Sequence, residues 1–277
     1  MISLSSTGAL SASLRAAKSI VLSAYILPPG SILQAVIAAA RRGAAVTVRL
    51  EGAPYRDPQG RLAALNDAAV ATLRAAGADA QEVDTGTNAA QTLHLKAVVI
   101  DGRSSFFDDR NFARSGLVVA DTSAADARAV VAQTLGSAMP PHRIALSKAA
   151  ALDEEVDLID ASRRGQILRV GSEAIGNCEV TQSLEDAAMR GVDVHVRVCR
   201  SLVASNLYDR REITRLQNVG IDVQQDSNHA KYALLADRAW IGSANATPGC
   251  ATQSDWGIDV RAPALIAQLR HRLAANA

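Results

Sequence analysis

Arg42-Gly43-Ala44-Ala45-Val46-Thr47-Val48-Arg49 returns later in the chain as Arg190-Gly191-Val192-Asp193-Val194-His195-Val196-Arg197. Both stretches read as a helix end, a glycine stop and an alternating strand. Leu73-Arg74-Ala75-Ala76-Gly77-Ala78-Asp79 and Leu216-Gln217-Asn218-Val219-Gly220-Ile221-Asp222 repeat in the same order. The offset between copies falls from 148 to 143 residues, so the repeat is collinear with small deletions. A duplicated unit of alternating strands and helices explains 277 residues better than one non-repetitive fold. The seam lies around Met139-Pro140-Pro141-His142, which gives halves 1–140 and 141–277. Beyond it Ser147 is placed to cap a helix over 148–164 that mirrors one near 8–18.

His94-Leu95-Lys96 and His229-Ala230-Lys231 continue the series at an offset of 135. The chain has four lysines and five histidines. Random placement yields two His-x-Lys pairs with a probability of about 0.2%. In a strand, residues two apart share a face, so each triplet sets an imidazole beside an ammonium. That pair suits a phosphate, with lysine holding a non-bridging oxygen while the imidazole attacks phosphorus or moves a proton.

The composition narrows the partners. With 29 basic and 28 acidic side chains the net charge is +1, so no global field draws nucleic acid or an anionic membrane. Aromatic residues make up 3%, leaving few rings on which bases stack. Cys178, Cys199 and Cys250 are scattered and odd in number, which argues against a disulfide framework or a zinc cluster and for a reducing, cytoplasmic setting. The apolar run Ile20 to Leu27 reads as a buried strand rather than a leader, and nowhere do 18 apolar residues run together. His142, His195 and His271 read as structural histidines without partners. The acidic run Asp153-Glu154-Glu155 reads as the solvated early turn of a helix.

With these residues in hand the chain resembles the phospholipase D superfamily, whose pattern is His-x-Lys, four residues, Asp, six residues, Gly-Ser-x-Asn, present twice. In the first copy His94, Lys96, Asp101 and Asn111 fit the spacing, while Asp108-Asp109 replace Gly-Ser. In the second, Gly242-Ser243-Ala244-Asn245 is intact and Asp237 is displaced by one residue. The resemblance implies an α/β fold of two pseudo-symmetric halves, each a mixed β-sheet flanked by helices, with one active site at their interface.

It also implies covalent catalysis, in which one histidine becomes a phosphohistidine and the other acts as general acid, then base. By family order His94 is the nucleophile and His229 the proton donor, although the reversed assignment fits the sequence equally. Lys96, Lys231, Asn111 and Asn245 neutralise the phosphoryl oxygens, and Asp255 orients a histidine. Asp101, Asp109, Asp237 and Ser243 are candidates for substrate contact, Asp101 and Asp237 equally for fixing turns. No metal and no cofactor is expected, because no ligand spacing appears and the lysines supply positive charge.

The expected partner is a phosphodiester substrate, a phospholipid or another small diester ahead of nucleic acid. Water or an alcohol resolves the intermediate, and the reading does not choose between them. A monomer suffices for the site, and a dimer is compatible with it. An inactive phosphodiester-binding module is the alternative of another class, and Asp108-Asp109 is its support.

Overall fold

Burial alternates along strands such as Ala45–Glu51 and Asp193–Cys199, whereas Ala97–Ile100, Lys231–Leu234 and Ala239–Gly242 are buried throughout, as strands covered on both faces are. The structure, a computed structural model, describes residues 1–55, 57–83, 92–112, 116–227, 229–249 and 251–275. The chain forms two compact units, one of Met1–Leu146 with Cys250–Asp255 and a second of Ser147–Gly249 with Trp256–Ala277. The division falls five residues beyond the proline pair, and a short segment of the C-terminal half goes with the first unit.

The first unit contains β1 (Ile2–Ser5), α1 (Thr7–Ala16), β2 (Ser19–Ala24), α2 (Ser31–Arg41), β3 (Ala45–Glu51), α3 (Arg61–Ala75) and β4 (Asp79–Val83). It continues with β5 (Ala97–Ile100), β6 (Ser104–Asp108), β7 (Val118–Asp121) and α4 (Ala124–Leu135). Its sheet runs β4-β3-β2-β5-β6-β7-β1. The β2, β3 and β4 strands are parallel, joined by helices, whereas β5, β6 and β7 pair antiparallel. On one face Leu22, Val48 and Val98 are fully buried in a cluster with Leu14 of α1, Val36 of α2 and Leu73 of α3. Strand alternation turns Val21, Ala97 and Val99 to the other face, and α4 packs on β2, β5 and β6.

The second unit repeats this plan as α5 (Lys148–Asp160), β8 (Ile167–Ser172), α6 (Glu179–Met189), β9 (Asp193–Cys199), α7 (Arg200–Ser205), α8 (Leu207–Asn218) and β10 (Asp222–Asp226). The β11 (Lys231–Leu234), β12 (Ala239–Gly242) and β13 (Gly257–Val260) strands follow, then α9 (Pro263–Ala275). The sheet order β10-β9-β8-β11-β12-β13 reproduces β4-β3-β2-β5-β6-β7, with nothing corresponding to β1. Ser147 caps α5 by accepting from the Ala150 N–H at 3.2 Å.

Two sequence expectations change. Glu155 does not face solvent: it is 1% exposed, and burial pushes its carboxyl up to about 8. Its place three residues before Leu158 and four before Ile159 puts it on the inward stripe of α5, whatever its charge. His195 and His142 are not partnerless: His195 Nε2 lies 3.1 Å from Asp193 Oδ1 and its Nδ1 3.1 Å from Asp222 Oδ2, and His142 Nδ1 lies 2.8 Å from Pro140 O. Cys178 and Cys199 are free thiols, and Cys250 lies outside the described residues.

Candidate active site

His94-Leu95-Lys96 lies just before β5 rather than within it: the His94 and Leu95 amides bond to a side chain, while Lys96 O accepts from the Asp108 N–H of β6 at 3.0 Å. Leu93 N–H donates to Glu51 Oε2 at 2.6 Å, and the His94 and Leu95 amides donate to Ser254 Oγ at 3.0 and 3.3 Å. The segment that supplies Ser254 also supplies Asp255, 1% exposed, whose Oδ1 lies 2.8 Å from His94 Nδ1. Lys96 Nζ lies 2.7 Å from the same ring nitrogen. One nitrogen cannot serve both at once. Donating its N–H to Asp255 places the lone pair on Nε2, whereas accepting from Lys96 moves the proton there.

Two tyrosines wall this histidine. The ring of Tyr25 is 4.9 Å from the imidazole at a 60° tilt, and that of Tyr55 is 6.4 Å away. Lys96 Nζ sits 5.8 Å from the Tyr25 ring centroid. Burial, reinforced by the charge of Glu51, raises the Tyr25 phenol, so its hydroxyl stays protonated and donates to the Tyr55 carbonyl at 3.1 Å.

In the second unit Glu173, immediately after β8, takes the position that Tyr25 holds after β2. Its Oε1 lies 2.6 Å from His229 Nδ1 and its Oε2 accepts from Lys231 Nζ at 2.9 Å. Burial opposes ionisation of this carboxyl, but Lys231 and His229 together outweigh it and hold it down at about 2. Nε2 of His229 is 3.5 Å from Cys199 Sγ.

Asn111 and Asn245 occupy equivalent places. Each Oδ1 accepts a backbone N–H at 3.3 Å, from Ile26 and Ala174 respectively, which leaves each Nδ2 as the outward donor. Asn111 and Phe112 both have positive φ, 53° and 60°, a strained pair for non-glycine residues. Asp108 holds them there, its Oδ2 accepting from the Arg110 and Phe112 amides at 2.8 and 2.5 Å. Asn111 and Phe112 also line a cavity of about 220 Å³ with Leu27 through Ile32.

Asp109 turns away from this chemistry. Its Oδ1 accepts from the Leu117 N–H at 2.6 Å and its own N–H donates to Leu117 O at 3.3 Å. Ser243 makes the matching pair with Trp256, accepting at 3.1 Å and donating through its backbone at 2.9 Å. The carboxylate therefore does in the first unit what the hydroxyl does in the second, closing the backbone of a neighbouring strand. Asp101 and Asp237 follow β5 and β11, at the opposite strand ends from the histidines. Asp101 accepts from the Lys18 and Ser19 amides at 2.8 Å each, and Asp237 is exposed in the β11–β12 turn. Neither is brought to a histidine, because a residue beyond the strand lies at its far end.

Sequence reasoning missed Glu173, Tyr25 and Ser254. The first two stand at equivalent positions in the repeat, which is the signal that finds them. Among the described residues no group of three or more His, Cys, Asp or Glu side chains is placed to hold a metal ion. Among them, too, no helix is long and apolar enough to cross a membrane.

The family described as cardiolipin synthase, PLD-like domain, matches the chain twice, over residues 11–134 and 155–275. Among solved structures, phosphatidylserine synthase of Haemophilus influenzae Rd KW20 superposes with a TM-score of 0.70 at 12% identity, covering 99% of this chain and 85% of that one. Polyphosphate kinase from Porphyromonas gingivalis gives 0.67 at 14% identity over 98% of this chain, which spans only 46% of the kinase. At these identities the likeness is one of fold. None of the curated proteins matches the sequence significantly.

Proposed function

Because the chain belongs to the cardiolipin synthase, PLD-like family of the phospholipase D superfamily, we propose that it is a metal-independent phosphodiesterase working through a phosphohistidine on His94. The observation that carries this reading is the pair of imidazoles whose Nδ1 atoms each face a carboxylate, Asp255 for His94 and Glu173 for His229. A carboxylate on Nδ1 fixes the tautomer that puts the reactive lone pair on Nε2 and stabilises the imidazolium formed when that nitrogen takes a proton.

His94 Nε2 attacks phosphorus, and the P–O bond to the leaving alcohol breaks as His229 delivers a proton to its oxygen. Lys96 and Lys231, with the Nδ2 donors of Asn111 and Asn245, offset charge on the non-bridging oxygens. His229, now neutral, takes a proton from water or an acceptor alcohol, whose oxygen displaces His94 from phosphorus. Four such donors supply the electrostatic stabilisation that a divalent cation provides elsewhere.

A phospholipid or other small diester is the substrate class we favour. The net charge of +1, which gives no general attraction for a polyanion, and the 3% aromatic content, which offers few rings for bases, support it. A panel of phosphatidylglycerol, phosphatidylcholine and single- and double-stranded DNA at fixed salt tests this. Release or exchange of the lipid headgroup with DNA left intact is expected. Cleavage of DNA alone would make the protein a nuclease, and tight binding of either without turnover would make it a binding module.

A further inference from the structure

We propose that the second unit carries a separate binding site for a phosphomonoester with an apolar group, on the α9-facing side of its sheet. The space is a cavity of about 420 Å³, within the size range of small-molecule sites. Arg169, Arg197 and Arg270 line it together with His195 and Tyr232, and Leu234 and Leu273 give it an apolar side.

Strand register shows how the cavity arises. Arg169 pairs with His195 across β8–β9 and with Leu234 across β8–β11, and Gly171 pairs with Tyr232, so these side chains share one face. The positions of the first unit that correspond to Arg169, His195, Leu234, Gly171, Tyr232 and Arg197 are Val21, Thr47, Val99, Ser23, Ala97 and Arg49. There α4 packs on β2, β5 and β6. In the first unit this face carries one arginine, Arg49, paired with Asp79 at 2.9 Å; the second unit keeps its counterpart Arg197 and adds Arg169, His195 and Tyr232, and α9 reaches the face through Arg270 and Leu273. A Cβ at Gly171 would run into the Tyr232 ring, so the glycine lets that ring lie flat over the sheet.

The charges do not cancel within the fold. Arg197 is spent on Asp226 at 2.9 Å, and both ring nitrogens of His195 face aspartates. Among the described residues Arg270 bonds to backbone oxygens, those of Leu235 at 3.1 Å and Ala236 at 2.7 Å, which orient its guanidinium without neutralising it. Arg169 makes no ion pair with the described residues. Two uncompensated guanidiniums suit a dianion with several acceptor oxygens, and the Tyr232 ring with Leu234 and Leu273 suits a ring or short chain attached to it.

Calorimetric titration of the whole chain with phenyl phosphate, with inorganic phosphate as comparator, tests the site without any turnover. Phenyl phosphate is expected to bind more tightly than phosphate. Arg169→Gln should weaken it at least tenfold, while a His94→Asn/His229→Asn variant keeps it. Tyr232→Leu, which preserves apolar volume, should narrow the gap between the two ligands. Binding that survives Arg169→Gln and disappears in the histidine variant would overturn the proposal, as would no binding at millimolar ligand. Neither outcome bears on whether His94 is phosphorylated.

Discussion

Asp255 and His94 stand 161 residues apart in sequence and 2.8 Å apart in space, with the carboxylate oxygen against Nδ1 of the ring. Asparagine has nearly the same shape but can present an N–H to that nitrogen, which moves the ring proton to Nε2. Asp255→Asn is therefore expected to lower kcat by about 10²–10⁴-fold with little change in KM or folding. A loss confined to KM would show that Asp255 contacts substrate instead of positioning the histidine.

Glu173 joins His229 and Lys231 in one ionic cluster, and its acidity dictates a pH dependence. Its folded value of about 2 lies below the unfolded value of 4.5, so its contribution to stability is present above about pH 4.5 and is lost as pH falls toward 2. The shift corresponds to roughly 3 kcal/mol. Urea unfolding of Glu173→Gln should show a deficit of that order at pH 7 that narrows by pH 3. An equal deficit at both values would assign the loss to packing.

Glu155 has the opposite sign. Its folded value of about 8 exceeds the unfolded 4.5, so the native state binds the extra proton and stability falls as pH rises from about 4.5 to 8. Glu155→Gln should match the parent near pH 4.5 and exceed it at pH 8 by an amount on the order of a few kcal/mol. Parallel stability–pH curves for the two proteins would contradict the burial argument.

Much of this was readable in advance, and the reason lies in what repetition preserves. The paired segments ending at Arg49 and Arg197 became β3 and β9 because alternation and a glycine stop are local properties. His94, Lys96, His229 and Lys231 stood out by spacing alone. Glu173 and Tyr25 did not, because their partners lie about 60–70 residues away through strand pairing, and no local pattern marks a carboxylate or a phenol as belonging to an imidazole. For Asp109 the geometry adds what spacing does not carry: its Oδ1 is committed to the Leu117 N–H, as the Ser243 hydroxyl is to the Trp256 N–H.

Asp109→Ser accordingly restores the chemistry that Ser243 uses with Trp256, and it should fold and turn over within a few-fold of the parent. Asp109→Ala leaves the buried Leu117 amide without its acceptor, at a cost of about 1–3 kcal/mol. Thermal unfolding separates the two. A serine variant as unstable as the alanine one would show that the carboxylate has a role beyond the Leu117 bond.

Removal of metals should leave the reaction intact, because lysine and asparagine donors supply the charge. Turnover of a generic aryl phosphodiester in excess chelator is expected to equal that without it. Loss restored by one added divalent ion would put a metal in the mechanism.

The covalent intermediate is the most direct test. Rapid quenching during turnover of a phosphorus-labelled aryl phosphodiester, whose phenolate leaves without needing a proton, should trap acid-labile, base-stable phosphate on His94, abolished in His94→Asn and accumulating in His229→Asn, which cannot activate water. Label on His229 alone, or steady turnover with no phosphohistidine in any variant, would contradict the account.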